Sequence, residues 1–148
     1  MIGFNHVLSG ALVGIFTPTE YLPYVPLIAF VLHFVLDVFP HYGRDETAPV
    51  HSKKFRRILV VDAVICIAFF MLACLLYPEN IIWITLGVFF ATLPDFLWIF
   101  HYYIKINWKP AHKFFRFAEV IQWGERPWGW SLEILYSMVM LTLLVGFS

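Results

Sequence analysis

His33-Phe34-Val35-Leu36-Asp37 stands inside an apolar stretch, and its i and i+4 spacing stacks an imidazole and a carboxylate on one helical face. That is the spacing at which a helix presents two ligands to one metal ion. His6, Asp62, Asp95 and His112 stand in or beside other apolar stretches and could complete the set from neighbouring helices. Imidazole nitrogens with carboxylate oxygens and no paired thiolates suit Zn²⁺, with Mn²⁺ or Fe²⁺ as alternatives, more than a soft metal. Ionisable groups are expensive in hydrocarbon, so each of these residues is a functional-site candidate by default. For His6, His33 and Asp37 the alternative is an interhelical hydrogen-bond network without a metal.

The composition decides what kind of element must hold them. Of 148 residues, 61% are hydrophobic and 14% charged, against roughly 25% charged in an ordinary soluble domain. With a mean hydropathy of +0.77, a water-soluble globule is excluded and a single integral membrane domain over 1–148 is expected. Ten Lys plus Arg against ten Asp plus Glu leave no electrostatic footprint for nucleic acid. Cys66 and Cys74 lie in one apolar run, about 12 Å apart on a helix and beyond disulfide reach. The start Met1 to His6 has no basic region, so the first segment is expected to remain in the mature protein.

Five apolar stretches read as helices: Phe4 to Phe16, Tyr24 to Phe39, Ile58 to Tyr77, Ile81 to Tyr103 and Gly129 to Phe147. The predicted fold is all-α, a polytopic membrane bundle of about five apolar helices with one interfacial amphipathic helix. About 20 residues span the hydrocarbon. The last three stretches meet that length, and the first two are short, spanning or forming a re-entrant hairpin. Arg44, Lys53, Lys54, Arg56 and Arg57 follow the second stretch, while Lys105, Lys109, Lys113, Arg116 and Arg126 follow the fourth. All ten thus fall on one side, so the N-terminus and both basic loops are expected in the cytoplasm and the C-terminus outside an inner membrane. Trp108, Trp123, Trp128 and Trp130 crowd the second basic loop at headgroup level.

That loop, residues 104–128, contains a predicted surface helix from His112 to Trp123, opened by Pro110, with His112, Arg116, Glu119 and Trp123 as a polar stripe. Counted at 1.5 Å per residue from the basic ends, Asp37 lies about 4 Å deep, Glu133 about 6, Asp62 about 7, His33 about 10 and Asp95 about 12 Å. All lie in the cytoplasmic half. Asp62 and Glu133 are shallow enough to pair instead with Arg57 and Arg126, Asp95 could serve the Pro94 kink, and His101 could cap the interface. Asp45, Glu46 and His51 read as solvated loop residues, with His41 balanced between loop and ligand.

The elements Asn5-His6-Val7-Leu8-Ser9-Gly10, His33-Phe34-Val35-Leu36-Asp37-Val38-Phe39-Pro40-His41 and Leu93-Pro94-Asp95 resemble those of the LexA-regulated, inner-membrane-associated metal-dependent hydrolases and their small bacterial membrane relatives. The resemblance covers roughly Phe4 to His41, with scattered matches to His112. It implies a helical membrane protein with a His/Asp metal site and hydrolase activity. Leu-Pro-Asp continues here into Phe96-Leu97-Trp98 where larger members carry Asp-His, and His112 has no hydroxyl residue beside it.

Three functions compete. An enzyme would use one or two divalent ions to activate water against an ester or phosphoester, a lipid headgroup being the expected substrate. Asp95 or Glu119 would be the general base, and Arg116, Arg56 or Arg57 would hold a phosphate. A non-enzymatic module would use the same cluster as a structural staple. Ion or proton transport is disfavoured, because in the outer half the fourth and fifth stretches offer only Thr85, Ser137 and Thr142 and a path would require oligomerisation.

Overall fold

The computed structural model describes residues 1–43, 52–104 and 109–148. In order the elements are α1 (Gly3–Phe16), a 3-10 turn (Thr19–Tyr24), α2 (Val25–Val38), β1 (His41–Tyr42), α3 (Lys53–Leu76), a 3-10 turn (Pro78–Asn80) and α4 (Ile81–Ile104). They continue with α5 (Lys109–Ile121), a 3-10 turn (Gln122–Gly124), β2 (Glu125–Arg126) and α6 (Trp130–Gly146). Arg44, Asp45, Glu46, His51, Lys105 and Trp108 lie outside the described residues.

Among the described residues three segments are long and apolar enough to cross a membrane: Thr19–Val38, Lys53–Leu76 and Pro78–His101. The second apolar stretch is therefore longer than expected, because the turn before α2 extends it to 20 residues. The fifth is shorter, because Gly129 and Phe147 serve as its caps and leave 17 residues of helix. α1 is likewise apolar and short, with 14 residues.

Burial runs opposite to that of a soluble protein. Leu27, Val31, Val60, Val64, Ile67 and Leu75 are exposed, while Asn5, His6, His33, Asp37 and Glu133 are buried. Lipid as solvent dictates this arrangement, since exposed apolar side chains cost nothing there and polar groups must find partners inside the protein.

At one end of the bundle the Tyr77 hydroxyl donates to the Leu144 carbonyl at 2.9 Å, and Asn80 donates to the Ile15 carbonyl at 3.4 Å. At the other end β1 and β2 pair in parallel, with His41 opposite Glu125 and Tyr42 opposite Arg126. This ladder ties the segment just after α2 to the segment just before α6 at one end of the molecule.

α5 starts three residues before the expected His112, with Pro110 as its second residue, where a missing N–H costs no helical bond. Its phenylalanines determine how it docks. Phe114 and Phe117 approach Phe34 of α2 at 6.0 and 5.5 Å between ring centroids, and Phe115 stacks on His101 at 4.1 Å. His112, Arg116, Glu119 and Trp123 consequently lie on the exposed side.

Candidate metal centre

The centre depends on how closely two backbones approach. Gly10 and Gly14 of α1 face Gly87 and Ala91 of α4, and a Cβ on Gly10 would lie 2.5 Å from the Gly87 carbonyl oxygen. Small residues at four-residue spacing let membrane helices pack backbone to backbone. One turn beyond this seam, at the basic end, His6 stands four residues before Gly10 and Asp95 four after Ala91. With the backbones in contact, these side chains meet: His6 Nε2 lies 3.9 Å from Asp95 Oδ2.

α2 supplies the rest. His33 Nε2 lies 3.3 Å from Asp37 Oδ2 and 3.9 Å from Asp95 Oδ1, and His6 Nε2 lies 3.3 Å from Asp37 Oδ1. The two imidazoles stack at 4.0 Å between centroids and 23° between planes, so both Nε2 atoms address the same pair of carboxylates. Two ligand atoms each about 2.05 Å from a tetrahedral Zn²⁺ stand about 3.3 Å apart, which is the spacing of each histidine from its own Asp37 oxygen, while Oδ1 also meets the Met1 nitrogen. One ligand atom each from His6, His33 and Asp95 also lie within 4.8 Å of one another.

Tautomers sharpen the point. His33 Nδ1 is 2.7 Å from the Ala91 carbonyl oxygen, an acceptor only, so this nitrogen carries the proton and donates it. Nε2 then faces two carboxylates with a lone pair, an arrangement that needs a proton or a cation between them. A backbone carbonyl holding the far nitrogen is also the usual support of a metal-bound histidine. His6 is fully buried, and neither of its ring nitrogens has a hydrogen-bond partner among the described residues. Nδ1 is thus unmatched, at a cost of about 1–3 kcal/mol, while Nε2 has only the ion-pair contacts to Asp37 and Asp95.

Asp62 and Glu133 are occupied elsewhere. α1 has no side-chain cap of its own, and carboxylates from other helices take its leading N–H groups. Gly3 and Phe4 donate to Asp62 of α3 at 3.1 and 3.0 Å, and Ile2 donates to Glu133 of α6 at 3.0 Å. Glu133 also accepts from Asn5 Nδ2 and from the Tyr42 backbone. The Met1 nitrogen lies 2.5 Å from Asp37 Oδ1. Asp62, read as a ligand, is thus placed as a cap, and Glu133 binds α1 and β1 instead of pairing with Arg126.

His112 stands beside His101, 5.4 Å between ring centroids, and is not among the residues gathered around Asp37. Arg116 and Glu119, proposed for phosphate and proton handling, point to the exposed side of α5. Gln122, from the turn after α5, approaches the centre instead, with Nε2 3.5 Å from Asp37 Oδ2. The sequence offered no signal for Gln122, because an amide after a helix looks like any other. Asn5 and Ser137, linked at 2.8 Å, were equally silent. His41 is buried, donates Nδ1–H to the Phe39 carbonyl at 2.7 Å, and leaves Nε2 without a hydrogen-bond partner among the described residues. Burial, reinforced by the positive Met1 nitrogen, pushes its pKa down to about 4.

Compared with protein-family models, curated proteins and solved structures, the chain matches none. The motif resemblance stands on its residues alone.

Proposed function

We propose that this chain is a membrane-embedded, divalent-metal-dependent hydrolase, a bundle of five apolar helices acting on an ester or phosphoester at lipid headgroup level. The observation that carries this reading is the meeting of His6, His33, Asp37 and Asp95 from three helices, with a buried imidazole that has no hydrogen-bond partner among the described residues. His6, His33 and Asp37 are the holding residues. A divalent cation, Zn²⁺ by its donor set or else Mn²⁺ or Fe²⁺, supplies Lewis acidity when bound.

Accessibility favours catalysis over a closed staple. The side chains of His6, His33 and Asp37 are at most 2% exposed, whereas Asp95 is 34% exposed. Asp95 is therefore the member of the group that opens to the protein surface, and in this reading its carboxylate takes the proton from the attacking water. Asp37 fixes the two imidazoles, and the Ala91 carbonyl keeps the His33 lone pair turned inward. By the positive-inside rule the basic end faces the cytoplasm, with α5 lying on that surface of the inner membrane.

The test is hydrolysis of phosphoester lipids and their analogues by detergent-purified, metal-loaded protein. Asp95→Asn is expected to retain the metal and lose about 10²–10⁴ in turnover. A folded, metal-loaded protein that hydrolyses nothing across a broad ester and phosphoester panel would leave the structural staple as the better reading.

A further inference from the structure

α4 carries a proline in its interior. Pro94 offers no N–H to the Phe90 carbonyl, and its ring presses on that carbonyl, so the helix opens at this turn. The next bond of the ladder, from the Asp95 N–H to the Ala91 carbonyl, spans the same opening. Thr92 loosens the turn further, because its hydroxyl donates to the Val88 carbonyl at 2.8 Å, a back-bond that bends helices. In a membrane, a carbonyl released in this way must be satisfied from a neighbouring helix.

His33 of α2 is that neighbour. Its Nδ1 donates to the Ala91 carbonyl at 2.7 Å, and both residues are buried. On another side Ala91 packs against α1, where a Cβ on Gly10 would lie 2.9 Å from the Ala91 Cβ. α1 and α2 thus meet the same residue of α4, one by its methyl and the other by its carbonyl. Asp95 does not serve the kink with its side chain, since its carboxylate is directed at His6 and His33, 3.9 Å from each Nε2. An unkinked α4 would return the Ala91 carbonyl to the Asp95 N–H, and His33 would lose the acceptor that decides its tautomer.

We propose that Pro94 is a positioning residue of the centre. By opening the turn ahead of it, Pro94 gives the Ala91 carbonyl to His33 Nδ1 and so turns the His33 Nε2 lone pair towards Asp37 and Asp95. The purpose of this arrangement rests on the metal-centre reading, but the hydrogen bond itself does not.

The test compares the full-length wild type with Pro94→Ala in detergent micelles, using ¹⁵N-labelled histidine and His33→Gln to assign the His33 signals. In metal-free protein at about pH 9, well above an unperturbed imidazole, the nitrogen shifts report which ring atom carries the proton. The wild type is expected to show the Nδ1–H tautomer, and Pro94→Ala to move His33 towards Nε2–H. Zn²⁺ affinity, measured by chelator competition, is expected to fall about 10- to 100-fold, while thermal unfolding stays the same or rises because alanine restores an N–H and favours the helix. Adding Leu93→Pro to Pro94→Ala moves the opening about 100° around α4 and is expected to restore neither tautomer nor affinity. An unchanged His33 tautomer in Pro94→Ala, an affinity lost only together with thermal stability, or full rescue by Leu93→Pro would each overturn the proposal. A tautomer shift in a protein that takes up no Zn²⁺ would support this role for Pro94 and count against the metal centre alone.

Discussion

The Nδ1 of His33 donates to the Ala91 carbonyl at 2.7 Å, so α4 determines which nitrogen α2 offers to the centre. A proton and a metal ion then compete for one lone pair on Nε2. Metal affinity is expected to fall as pH falls, about tenfold per pH unit for each proton displaced, and metal uptake is expected to release protons. Chelator-competition titrations between pH 7.5 and 5.5 measure this. An affinity independent of pH would mean that no imidazole binds the ion.

Gly10 sets the distance between α1 and α4. Gly10→Val places side-chain carbon against the Gly87 carbonyl, where a Cβ alone already comes to 2.5 Å. Separating the helices is expected to cost about 1–3 kcal/mol and to draw His6 away from His33 and Asp37. Thermal unfolding in detergent and metal affinity should both decline. Undiminished affinity would show that the seam does not position the ligands.

Asp62 distinguishes a cap from a ligand. Asp62→Ala removes the acceptor for two N–H groups of α1 and is expected to cost about 1–2 kcal/mol, as loss of a helix cap does. Metal stoichiometry should remain that of the wild type. A loss of bound metal without a loss of stability would return Asp62 to the ligand set.

His41 carries a pH signature of its own. Its pKa is lowered from 6.5 to about 4, so the folded state favours the neutral ring and the unfolded state binds the proton first. Stability is therefore full above about pH 6.5 and declines towards pH 4, by on the order of 2–3 kcal/mol. Stability measured in detergent from pH 7 to 4 should fall less steeply in His41→Asn than in the wild type. Parallel curves would contradict the buried, neutral His41.

Much of the centre was legible because its signals are local. The i and i+4 pair His33 and Asp37 can be seen within one helix, and depth placed Asp95 in the same half of the bilayer. The fate of Asp62 and Glu133 was not legible, because capping α1 from α3 and α6 is a tertiary contact that leaves no mark in the local pattern. α5 shows a different limit: a polar stripe at helical spacing suggested a working face, yet Phe114 and Phe115 dock the helix on Phe34 and His101 and leave Arg116 and Glu119 exposed. The four-residue spacing of Gly10 and Gly14 was visible, but only the fold identifies Gly87 and Ala91 as its partners. Span lengths moved for a similar reason, since a 3-10 turn extended α2 and terminal caps shortened α6.

The central claim, a divalent centre held by His6, His33 and Asp37, is tested most directly by the metal content of detergent-purified protein. The wild type is expected to carry about one ion per chain, bound by nitrogen and oxygen ligands in X-ray absorption. His33→Ala and Asp37→Ala should each lose it, while Asp95→Asn keeps it. A folded wild type that takes up no Zn²⁺, Mn²⁺ or Fe²⁺, or His33 and Asp37 variants that bind as the wild type does, would contradict the metal centre.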